Sequence, residues 1–246
     1  MIFVIVLTIT AVWIKSMDSH RISGRILAEN IAGPGMLRLV EQSMQARTRK
    51  ASVAEIAVKE RKYPQAALTF DDGPDSRYTP LLLDGLKERN VRVSFFLLGE
   101  KVEQYPELVE RMQKEGHLVG NHTYHHVQLN KLNETKAREE ILKTNNLIYE
   151  TTGVYPLYLR PPFGAWKKNL ELCVEMLPVF WTIDTLDWKV QNTEKIVHTV
   201  QEQIEDGAII LMHDEYDTSV EAALQVVDEL KSQGYELVTV DQLILP

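Results

Sequence analysis

AALTFDDGP, residues 66–74, carries a short apolar run directly into two adjacent carboxylates and then into Gly73 and Pro74. AALTF has the composition of a strand, and the Gly-Pro pair ends it. Asp71 and Asp72 repel each other, and an isolated Asp-Asp pair is ordinarily surface solvation. Successive side chains of a strand point to opposite faces, so a regular strand would keep these two apart. A sharp Gly73-Pro74 turn could instead let both lean over the strand end. That arrangement makes sense with a cation to offset the repulsion, one carboxylate ligating it and the other serving as a base.

The pattern around this stretch is repetitive. VRVSFFLL (91–98), HLVGN (117–121), VYPLYL (154–159), PVFWTI (178–183), AIILM (208–212) and YELVTV (235–240) read as further strands. Helical spacing fills the gaps at 78–90, 105–116, 134–153, 167–177, 193–207 and 219–234, and several of these segments stop at Gly or Asn. Thr218 and Glu221 have the spacing of a capping box for the last helix. Alternating strands and helices predict βαβ units and a parallel sheet. With no Gly-rich phosphate loop after the first strand, a barrel is favoured over an open sheet. The fold class expected is α/β, a (β/α) barrel over residues 64–246, with an active site at the C-terminal ends of the strands.

Polar residues gather at those ends. Asp71-Asp72 follows the first strand and Asn121-His122-Thr123-Tyr124-His125-His126 the third. Arg160-Pro161-Pro162-Phe163-Gly164 follows the fourth, Asp184-Thr185-Leu186-Asp187-Trp188 the fifth, and Leu211-Met212-His213-Asp214 closes the sixth. His122 and His126 stand four apart, so one turn or compact loop puts both imidazoles on one side, with His125 a rival at i+3. Two neutral imidazoles and a carboxylate form a common zinc set with a position left open. Asn121-His122-Thr123 also matches a glycosylation acceptor, which would block such a site. His213, beside a metal and carboxylates, is a natural general acid, with Asp184 to hold its proton. Arg160 is expected to orient the base and lower its pKa.

Composition narrows the class of partner. Of 246 residues 44% are hydrophobic and 25% charged, enough to bury one sizeable core. With 35 acidic and 27 basic side chains the formal charge is −8, a poor match for nucleic acid or anionic lipid. Cys173 is the one cysteine, so no internal disulfide forms. The first fourteen residues, MIFVIVLTITAVWI, are apolar and uncharged. They are short of the roughly twenty that span a membrane, and read as an export signal, a membrane anchor or a buried element. Lys15, Arg21 and Arg25 behind them would be cytoplasmic by charge, against export of the remainder. Residues 15–63 read as a spacer with a polar helical stretch, LRLVEQSMQARTRK (37–50), after a Gly-Pro-Gly break.

TFDDGP, HTYHH, RPPFG, DTLDW and LMH, in this order, resemble the five motifs of the polysaccharide deacetylases, the NodB-type domain of carbohydrate esterase family 4. The resemblance covers residues 64–246. It implies a distorted (β/α) barrel and a metal-dependent hydrolase acting on N-acetylglucosamine polymers, peptidoglycan first and chitin-type oligomers second. Position by position, it makes Asp71 the base and Asp72, His122 and His126 the metal ligands. Arg160 becomes the residue that tunes the base, His213 the acid and Asp184 the acid's carboxylate partner. Phe163 stands where many members have tyrosine and lends a backbone N–H to the oxyanion, while Trp188 and Leu211 line the acetyl methyl pocket. The implied ion is zinc, and cobalt, nickel or manganese accept the same ligands. The implied partner is a glycan, with no nucleic acid. The implied location is a bacterial cell envelope or its exterior, with residues 1–14 as a possible membrane anchor. An O-acetyl esterase on acetylated xylan shares every motif, and a non-catalytic wall-binding module is the reading from another class.

Overall fold

The computed structural model describes residues 62–166 and 176–244. The apolar stretch 1–14, nearly all of the spacer, and the helix read over 167–177 up to residue 175, Cys173 included, lie outside the described residues.

Among the described residues eight strands form one parallel sheet: β1 (Gln65–Asp71), β2 (Ser94–Leu97), β3 (Leu118–Asn121), β4 (Tyr158–Leu159), β5 (Leu177–Pro178), β6 (Ile183–Asp184), β7 (Ala208–His213) and β8 (Glu236–Leu237). Their order is β5-β4-β3-β2-β1-β7-β6, with β8 pairing the start of β1. Helices α1 (Tyr78–Glu88), α2 (Gly99–Gln104), α3 (Pro106–Lys114), α4 (Glu134–Thr152), α5 (Asp187–Val190), α6 (Thr193–Gln203), α7 (Asp217–Ser232) and α8 (Val240–Ile244) connect and surround it. Asn133 caps α4 by accepting the Lys136 N–H at 2.9 Å, and Gly153 at φ 71° ends it. No helix among the described residues is long and apolar enough to cross a membrane.

The two-residue period of β1 sorts its side chains. Ala66, Leu68 and Phe70 join the large outer core with Leu82, Leu86, Val226 and Val227 of the covering helices. Ala67 packs on the other side with Phe96, Tyr158, Val179 and Val240, inside the barrel. Thr69 and Asp71 share that inner parity. In register, Thr69 pairs with Leu211 and Asp71 with His213, so Leu211 lies one pleat below His213 on the inner face.

Two local expectations are corrected. PVFWTI is not one strand: β5 and β6 lie at opposite ends of the sheet order, joined by residues 179–182. Five residue steps reach at most roughly 17 Å, so the sheet must curl until its edges nearly meet. The result is a barrel whose seam, among the described residues, carries no ladder between β5 and β6. Thr218 and Glu221 form no capping box, because α7 already starts at Asp217; Glu221 instead accepts the Thr193 hydroxyl at 2.9 Å.

Candidate active site

Asp71 is the last residue of β1 and faces the barrel interior, 3% exposed. Its Oδ1 accepts Arg160 Nη1 at 2.8 Å, and the same Nη1 donates to Thr69 Oγ1 at 2.7 Å. Arg160 is wholly buried, lies 4.3 Å from the Phe96 ring centroid, and donates to the Val179 and Phe180 carbonyls at 3.4 Å. Burial raises the Asp71 carboxyl above its ordinary range; the Arg160 charge and hydrogen bond pull it down without cancelling that. Arg160 thus lowers the pKa as expected, but the net direction is up, because a carboxylate loses more hydration inside the barrel than one guanidinium returns.

Asp72 answers the question its neighbour raises. Its φ is 67°, in the left-handed region. That backbone turn, ahead of the cis Gly73-Pro74 bond, brings its carboxylate back over the rim toward Asp71. Thr123 (φ 69°), His126 (φ 54°), Phe163 (φ 60°) and Leu186 (φ 51°) are also left-handed, all at strand-end loops of the same rim. Such conformations cost about 1 to 3 kcal/mol each and persist only where the surroundings impose them. For the histidine loop Asn121 does so: buried, it accepts the Thr123 N–H at 2.7 Å and donates to Ile141 O and Asn145 Oδ1. An amide so enclosed is no glycan acceptor.

That loop aims both imidazoles at Asp72. His122 Nδ1 lies 2.6 Å from the Arg160 carbonyl, so it carries the proton and donates, leaving Nε2 as a lone pair. Burial lowers the His122 pKa to about 3, keeping the ring neutral. Its Nε2 lies 3.4 Å from Asp72 Oδ1, as does His126 Nε2. His125 is turned away, with Nδ1 2.8 Å from Glu140 Oε1, which removes it as a rival. The ligand atoms of Asp72, His122 and His126 all lie within 4.8 Å of one another. Asp72 Oδ1 is buried with no hydrogen-bond partner, a costly state for a carboxylate oxygen unless a cation takes the place of a donor. The donor set fits a divalent ion.

His213 sits beside Asp71 in register, with Nε2 3.9 Å from Asp72 Oδ2. Its partner is Asp187, not Asp184. Asp187, fully buried, takes Nδ1 at 2.7 Å on one oxygen and the His213 N–H at 2.8 Å on the other. Asp184 turns to its own loop and accepts the Leu186 N–H at 3.0 Å. The left-handed Leu186 reverses the chain after β6, so the second carboxylate of DTLDW, opening α5, is the one delivered to β7. Burial lowers the His213 pKa, but the Asp187 hydrogen bond and charge, with the charges of Asp71 and Asp72, outweigh it and raise it to about 9.

A family model described as polysaccharide deacetylase matches residues 59–180. The peptidoglycan-N-acetylglucosamine deacetylase of Bacillus cereus is 40% identical over 186 residues, 73% of this chain and 68% of its own. The chain belongs to the polysaccharide deacetylase family. The peptidoglycan-N-acetylglucosamine deacetylase PgdA of Listeria monocytogenes is 43% identical over 185 residues, 75% of this chain, and the match spans only 40% of that relative's length. Among solved structures, peptidoglycan deacetylase PdaC from Bacillus subtilis superposes with a TM-score of 0.72 at 42% identity, covering 74% of this chain and 91% of that one.

Within this polysaccharide deacetylase barrel the remaining expected residues lie at the rim or just below it. Phe163 is exposed and its ring centroid stands 4.6 Å from that of His126. Trp188 is half-exposed on α5, and Leu211 is buried beneath His213. Asp187, the partner of His213, is the site residue whose role motif reading passed over.

Proposed function

We propose that this chain is a metal-dependent hydrolase that removes N-acetyl groups from N-acetylglucosamine-containing glycan, with peptidoglycan the polymer and the cell envelope the location. One observation carries the reading: the buried Asp71 carboxylate and the Asp187-bound His213 imidazole stand side by side on β1 and β7, next to the Asp72-His122-His126 cluster. The peptidoglycan named in the relatives' descriptions supports the choice of polymer over chitin-type oligomers.

Asp72, His122 and His126 would hold the ion, zinc in this proposal. Held there, a divalent ion would supply polarisation of an acetyl carbonyl and a lowered pKa for water. Asp71, in register with His213 and oriented by Arg160, takes a proton from the attacking water. The Phe163 N–H supports the oxyanion, a contribution of about 3 to 4 kcal/mol for such a donor. His213 then gives its Nε2 proton to the sugar nitrogen as the C–N bond breaks, releasing acetate and a free amine. Trp188 and Leu211 border the space for the acetyl methyl.

The test is acetate release by the full chain, stripped by chelation and resupplied with zinc, on peptidoglycan, N-acetylglucosamine oligomers and acetylated xylan. Zinc-dependent release from the amide substrates is expected, fastest on peptidoglycan. Release from xylan alone would make it an O-acetyl esterase. Zinc bound without release from any substrate would make it a wall-binding module.

Two further results are expected. His126→Ala should weaken zinc binding, read by competition with a chromogenic chelator, while His125→Ala leaves it near wild type. Equal losses in both would return His125 to the ligand set. Asp187→Asn should move the alkaline limb of the pH–rate profile. His213 must be protonated to act, so activity falls as pH rises through its pKa. With the Asp187 charge gone, burial prevails and that pKa drops. A bound cation offsets the contributions of Asp71 and Asp72 but leaves that of Asp187. The limb should shift to lower pH by more than about one unit; an unmoved limb would mean that Asp187 does not set the acid.

A further inference from the structure

Among the described residues the mechanism leaves one buried carboxylate unused. Asp214 follows His213 at the end of β7 and is fully buried. Its Oδ2 accepts the hydroxyl of Thr79, also fully buried. Thr79 Oγ1 in turn accepts the Asp75 N–H at 2.7 Å. Asp214 is thus tied to the segment that follows the Asp71-Asp72-Gly73-Pro74 turn.

The other oxygen touches the turn itself. Oδ1 has no hydrogen-bond partner, and it lies 2.5 Å from the point where a β-carbon on Gly73 would stand. A side chain at position 73 would force this carboxylate to move. Just past the end of β2 the Leu98 N–H donates to the Gly73 carbonyl at 3.2 Å. The residue after Asp72 is therefore bonded through its carbonyl to Leu98 and packed closely against the Asp214 carboxylate. Aspartate enters the left-handed region more readily than most residues, and the packing around Gly73 adds to what keeps Asp72 at φ 67°.

We propose that Asp214, acting with Thr79, is a positioning residue for Asp72: it fixes the path of the Gly73-Pro74 turn and so keeps the Asp72 carboxylate where His122 and His126 can share a cation with it. The inference rests on the reading of Asp72 as a metal ligand. Asp214 itself stands outside the ligand cluster.

The decisive measurement is zinc affinity by chelator competition on the full chain, for wild type, Asp214→Ala, Thr79→Val and Thr79→Ser, with circular dichroism as a check on folding. Outer partners of metal ligands typically carry 10- to 100-fold in affinity, so Asp214→Ala and Thr79→Val should raise the zinc Kd by about that factor while Thr79→Ser stays within about threefold. Turnover should fall with affinity at unchanged KM. Gly73→Ala, which drives a methyl against the Asp214 carboxylate, should behave like Asp214→Ala. A folded Thr79→Val with wild-type zinc affinity would overturn the proposal, and so would Thr79→Ser as weak as Thr79→Val. Should Asp214→Ala not fold, the Thr79→Val and Thr79→Ser comparison decides alone. A wild-type chain that takes up no zinc would remove the metal reading and this inference with it; wild-type binding left unchanged by the variants would remove the inference only.

Discussion

Asp71→Asn is expected to bind zinc as wild type does and to lose turnover by about 10²- to 10⁴-fold, the range for a positioned general base. The amide keeps the shape of the side chain and can still accept Arg160 Nη1, but it has no basicity and no charge. Zinc binding survives because Asp71 lies outside the cluster of Asp72, His122 and His126. Stability should also fall, since Arg160 is left as a buried cation without a counter-charge. The loss should be smaller than the about 3 to 5 kcal/mol of a fully broken buried pair, because the hydrogen bond is retained. Acetate release, zinc affinity and thermal melting on one preparation separate these effects. Near wild-type release would move the base role off Asp71.

His213→Ala carries the second large effect, and its size should depend on the bond being cut. An amine anion is a very poor leaving group, so amide hydrolysis needs a proton delivered to nitrogen as the bond breaks. An alkoxide leaves more readily. Release from an N-acetyl substrate should fall about 10²- to 10⁴-fold while release from an acetyl ester falls no more than about tenfold. Equal losses on both would mean that His213 supports the fold or the ion rather than the leaving group. The Asp187→Asn profile then tells whether its partner sets the proton.

Much of this arrangement could be read from spacing. β1 and β7 end in acidic and imidazole side chains whose inner parity follows from the two-residue period. The i, i+4 histidines required only a compact turn, and the strand–helix alternation called for a parallel barrel. What spacing could not supply was backbone handedness. Asp184 and Asp187 are equally good carboxylates in DTLDW, and only the left-handed Leu186 decides which one reaches His213. Asp72 owes its place to its own φ as much as to the Gly-Pro turn after it. PVFWTI is apolar but for Thr182, so no alternation marks where it leaves one edge of the sheet and joins the other. The pKa direction at Asp71 was hidden for a related reason: the arginine is visible in RPPFG, but the depth at which the pair is buried is not.

Arg160 reaches across from β4 to the carbonyls of Val179 and Phe180, in the crossing where the sheet changes edge. One guanidinium therefore serves as rivet and counter-charge together. Random mutagenesis selected for folding alone, with no glycan offered, should already find this position intolerant, although its side chain meets no solvent. Attempts to retune the carboxylate by exchanging its arginine would loosen the wall that holds it. Altered reactivity is better sought at Asp187, where the acid can be adjusted without opening the cylinder.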